Sequence, residues 1–92
     1  MNKVKQVKAL FRAGNRVECL DNTYIPSRRG ERFRITQTGH SGSDAISERD
    51  GAPYRMIMPT RVRDVLSVSD SRASFLIDEE GNYCTWKVIG DR

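Results

Sequence analysis

Apolar residues recur along the chain with two periods, and the change between them divides it. Val4, Val7, Leu10 and Phe11 follow helical spacing while Lys3, Lys5, Lys8 and Arg12 take the other side, so residues 1–12 read as a short basic amphipathic helix or arm. A helix of about 12 residues is marginal alone, so Leu10 or Phe11 is expected to dock on the rest of the protein if it forms. Ala13-Gly14-Asn15 breaks that period, and residues 13–92 are expected to form a single domain.

From Arg16 onward the period is two. Arg16 to Leu20 points Val17 and Cys19 to one face, and Glu31 to Thr38 sets Phe33 and Ile35 against Arg32, Arg34 and Thr36. Between them, Asp21-Asn22-Thr23 and Ile25-Pro26-Ser27 disfavour a sheet, because Pro lacks a ladder donor and Asx side chains compete for backbone partners. A loop of about eight or nine residues follows from that. The polar, Gly-rich run Thr38 to Ser43 separates a weaker strand at Ala45 to Glu48, and Asp50-Gly51 signals a hairpin into residues 53–58, where Tyr54, Met56 and Met58 share a face.

Thr60 to Val65 reads as one helical or 3₁₀ turn with Thr60 as its cap. Leu66 to Val68 and Ser71 to Asp78 are strand-like, and Glu79-Glu80-Gly81-Asn82 turns the chain into Tyr83 to Ile89. Cys84, Trp86 and Val88 close the expected core. Six or seven strands joined by short turns, with no long helix between them, predict a mainly β fold: a small antiparallel barrel with a short N-terminal helix or arm and a C-terminal hairpin.

Charge changes the picture more than size does. The net charge is +4, yet residues 1–34 carry nine Lys/Arg against three acids and residues 35–92 carry seven against nine. Such a split predicts a basic face able to attract DNA, RNA or an acidic protein surface, against the alternative of a merely solvated face. Arg28, Arg29, Arg32 and Arg34 combine a loop pair with two positions on one strand face. Arg16 and Arg55, with Lys3, Lys5, Lys8 and Arg12, would extend them into a phosphate-tracking surface, and Tyr24 would either stack on a base or fold back over the sheet.

Catalytic chemistry finds little support. His40, the single histidine, lies in a Gly/Ser-rich loop, Asp78, Glu79 and Glu80 form a turn cluster, and no P-loop, GxGxxG, HExxH or EF-hand spacing occurs. No enzyme activity, cofactor or metal is expected. Cys19 and Cys84 read as buried free thiols, and Trp86 as a core residue rather than a stacking platform. No apolar run approaches the roughly 20 residues that cross a bilayer, and the N-terminus lacks the apolar stretch of a signal peptide, so a cytoplasmic protein without membrane partners is expected.

The order of first strand, long irregular loop, Gly30 and second strand resembles the SH3-like barrels, including the KOW-type modules of transcription and translation proteins, over residues 14–68. In that superfamily the loop after the first strand forms part of the binding surface, which by resemblance nominates Tyr24, Arg28 and Arg29. The aromatic and proline-binding residues of peptide-binding SH3 domains are missing. Asn22-Thr23-Tyr24, Thr60 to Val65 and Thr85-Trp86 also give the chain a faint similarity to short proteins of actinobacteria and their phages, with no mechanism attached. The expectation is a non-enzymatic module binding nucleic acid through a basic face. The alternative is a small interaction or inhibitory factor docking on a host protein, as a monomer or weak homodimer.

Overall fold

Alternation prevails almost wherever the sequence shows it. The computed structural model describes residues 2–90, and in them a helix α1 (Lys3–Leu10) precedes seven strands: β1 (Arg16–Asn22), β2 (Arg32–Thr38), β3 (Gly42–Ser47), β4 (Pro53–Ile57), β5 (Val65–Val68), β6 (Arg72–Leu76) and β7 (Tyr83–Gly90). All pair antiparallel in one sheet of order β4-β3-β2-β1-β7-β6-β5. The fold is mainly β, with the N-terminal helix and C-terminal hairpin expected.

The barrel, however, is not closed by hydrogen bonds. The ladder ends at β4 and β5, which share no pairing, and the sheet instead curls around its buried face. Phe33 on β2 stacks on Tyr54 of β4 at 4.7 Å between centroids and meets Trp86 of β7 edge-on at 5.8 Å. Val17, Cys19, Ile35, Met56, Phe75 and Cys84 complete the inner face.

The helix fills one side of this curl. Asn2 caps it, its side chain accepting from Lys5 N at 2.9 Å, which supplies an acceptor to an otherwise orphaned helix N–H. Val7 and Phe11 are fully buried, and Phe11 meets Phe75 and Trp86 edge-on at 6.1 and 5.8 Å. Asn15 ties the helix end to the sheet: its Nδ2 donates to Leu10 O, and its backbone carbonyl accepts from Ile35 N.

β5 starts one residue early at Val65 and β6 ends at Leu76 rather than Asp78, and three further differences from the sequence expectation have a visible cause. β1 continues through Asp21 and Asn22, because a bulge at Leu20 re-aims the strand and Asn22 turns inward, its Oδ1 accepting from the amides of Tyr24 and Ile25. β3 begins at Gly42 rather than Ala45, since the fully buried Ser43 hydroxyl bonds Thr38 Oγ1 at 2.9 Å and satisfies its polarity. The 3₁₀ turn Val62–Asp64 forms without a side-chain cap from Thr60, its N-cap being Arg61.

Two hairpins keep their signals. Gly51 adopts φ +74° in the β3–β4 turn, as Asp50-Gly51 predicts. Asp78 accepts from Glu80 N, Asn82 N and Asn82 Nδ2, so this one carboxylate of the acidic cluster organises the β6–β7 turn. Those bonds, the Asn82 side chain foremost, hold the Asp78 carboxyl below its usual range. No helix among the described residues is long and apolar enough to cross a membrane.

Candidate functional site

Because one sheet face is filled with core, every second residue is forced onto the other, and strand order decides which of those meet. Arg34 on β2 lies directly opposite Arg16 on β1, and one row along, Arg32, Glu18, Lys87 and Arg72 are neighbours across β2, β1, β7 and β6. Adjacent strands are about 4.8 Å apart and same-face residues of one strand about 7 Å apart, so five cations occupy two adjoining rows.

Acids neutralise part of this face. Arg16 makes a forked pair with Glu48, Nε to Oε2 at 2.6 Å and Nη2 to Oε1 at 2.9 Å. Arg32 Nε reaches Glu18 Oε1 at 3.0 Å. The hydrogen bond from Arg16, followed by the charges of Arg16, Arg34 and Arg32, holds the Glu48 carboxyl below its ordinary range. Among the described residues, Arg34, Lys87 and Arg72 form no ion pair. Their charge is available to an outside anion.

The sequence-nominated cations fall into four groups. Arg16, Arg32 and Arg34 share the outer face, and Arg55 joins it at β4, paired with Asp44 at 2.6 Å. Arg29 borders a groove with Arg32 and Arg49 beside Glu31 and Glu48. Arg28 is built into the fold, its guanidinium 4.4 Å above the Tyr54 ring and 3.0 Å from Glu31. Lys3, Lys5 and Lys8 stand on the helix that fills the inner side, so they lie apart from the arginine rows, and Arg12 turns to Asn15 Oδ1.

Tyr24, 64% exposed, borders a separate cavity near β4. Lys87 and Arg72 were not nominated from sequence. Their alternation against Trp86 and Ala73 put them on the polar face, but only the β1-β7-β6 adjacency brings them beside Glu18 and Arg32.

His40 is exposed in the β2–β3 loop, and no cluster of three or more His, Cys, Asp or Glu able to hold a metal occurs among the described residues. Cys19 and Cys84 are buried free thiols, pushed up to about 11 and about 12 by burial. Comparison with protein-family models, curated proteins and solved structures gave no match.

Proposed function

We propose that this protein is a non-enzymatic binding module of SH3-like type whose outer sheet face takes up a nucleic acid, DNA or RNA, through its phosphates. The observation that carries the reading is the pair of rows holding Arg34, Lys87 and Arg72, which have no carboxylate partner among the described residues, beside Arg16 and Arg32. Cations at strand spacing on a rigid sheet neutralise a polyanion and release its counterions. Nothing in the rows provides a base-reading fork set apart from the backbone contacts, so binding is indifferent to sequence. The buried thiols suit a reducing, cytoplasmic setting.

The test is titration of a labelled single-stranded and a duplex oligonucleotide across a salt series, with the protein and its Arg34→Glu/Lys87→Glu/Arg72→Glu variant. Affinity of the native protein should fall linearly on logarithmic axes as salt rises, with a slope of about −0.7 per neutralised phosphate for the single strand or −0.9 for the duplex. The variant should lose binding while keeping the native thermal transition. Salt-independent binding, or undiminished binding by the folded variant, would overturn the reading.

A further inference from the structure

The two ends of the open sheet are treated differently. β5 lies against α1, whereas among the described residues no strand pairs with the outer edge of β4. Met58 N donates to Ser41 O and Ala52 O accepts from Ser47 N, which fixes the hydrogen-bonding phase of the β3–β4 ladder. With that phase the backbone groups of Tyr54 and Met56 face β3, while the N–H and C=O of Arg55 and Ile57, with the C=O of Pro53, point off the edge.

Beside this edge the inner face opens in a cavity of about 180 Å³, bordered by Tyr24, Ile25, Tyr54, Ile57, Ile77 and Trp86. A benzene-sized ring needs a cavity of about 150 Å³. Tyr24 and Ile57 are 64% and 58% exposed at its mouth, and the buried Trp86 indole N–H has no nitrogen or oxygen acceptor among the described residues, with only the weakly accepting Cys84 thiol beside it. Arg55 is the one charged residue in the lining.

We infer that the β4 edge and this cavity bind an extended, acidic–apolar segment of a partner protein, added as an eighth strand. Its backbone satisfies Arg55 and Ile57, one aromatic side chain enters the cavity, and the residues on either side of that anchor project to the outer face, where carboxylates compete with Asp44 for the exposed Arg55 guanidinium. Alternating donors and acceptors along the edge match a peptide backbone, and a polynucleotide backbone carries no such alternation. This surface is distinct from the arginine rows, so either reading can fail without the other.

The probe is the capped peptide acetyl-Val-Glu-Phe-Glu-Val-amide, followed by amide hydrogen exchange and by the single tryptophan indole N–H resonance. Bound peptide should slow exchange at Arg55 and Ile57 by at least about tenfold and shift the Trp86 indole signal. Replacing its Phe by Ala should weaken binding by about tenfold or more, the loss of one buried aromatic side chain. Ile57→Pro removes an outward donor without touching the β3 ladder and should abolish the effect. N-methylation of the peptide backbone should do the same on the unaltered protein, whether or not that variant folds.

Absence of protection at saturating peptide, or equal binding by the Ala or N-methylated peptide, would overturn the inference. Concentration-dependent protection of Arg55 and Ile57 without peptide would overturn it in favour of a second copy of the chain. The same indole shift produced by oligothymidylate and not by peptide would overturn it in favour of a base.

Discussion

Arg16 grips Glu48 through two hydrogen bonds while standing directly opposite Arg34, a like-charged neighbour that the carboxylate also faces. Glu48 therefore acts as the resident counter-charge of the site. Glu48→Gln should raise affinity for a polyanion severalfold, measured at fixed salt. In the native protein the carboxyl titrates below its unfolded value, so its contribution to stability is present above about pH 4 and is lost as pH falls through the folded value. Melting temperatures of the two proteins should differ at neutral pH and converge under acid.

Arg28 should behave unlike its sequence neighbours. Its guanidinium lies on Tyr54 and pairs with Glu31, so Arg28→Ala should cost about 1–2 kcal/mol. Arg28→Lys should recover only part of that, because an ammonium lacks the flat stacking surface. Arg34→Ala should leave the denaturation midpoint unchanged. Urea unfolding of the three variants checks the contrast.

The N-terminal helix is held by its apolar end. Phe11 is fully buried against Phe75 and Trp86, and Phe11→Ala should destabilise the protein by about 3–5 kcal/mol. Trp86 is the only tryptophan, so a red shift of its emission at a lowered urea midpoint reports the exposed core directly.

Both thiols should be inert in the folded protein. Burial raises Cys19 to about 11 and Cys84 to about 12, so a thiol reagent at pH 8 should label neither until denaturant is added. The unfolded chain loses these protons near pH 8.5, before the native protein does. Stability should accordingly fall as pH rises from about 9 toward the folded values, and a Cys84→Ala variant should show a shallower alkaline decline.

Much of the architecture was legible because side-chain period is a local property. Val17 and Cys19, Phe33 and Ile35, Phe75, Cys84 and Trp86 all face inward as alternation predicts, and Lys5, Arg32 and Arg34 stay outside. Where the reading stopped short, a distant partner had changed the local cost. Ser43 is buried because Thr38 meets its hydroxyl, and β1 runs to Asn22 because a bulge and an Asx turn accommodate it. The candidate site was legible only in part for the same reason: Arg32 and Arg34 could be paired from one strand, but Arg72 and Lys87 lie 38 and 53 residues beyond Arg34 in the sequence.

The sequence by itself determined where the strands lie, though not their full extents, which face their core residues take, and that positive charge is concentrated before residue 35. Only the tertiary structure decided that β1 sits between β2 and β7, that Glu48 and Glu18 neutralise two arginines while Arg34, Lys87 and Arg72 stay unpaired among the described residues, and that β4 keeps a free edge beside an aromatic cavity. Alternation is set by the geometry of one chain segment. Strand adjacency and charge pairing depend on contacts between segments far apart in sequence, whose closure no local pattern records.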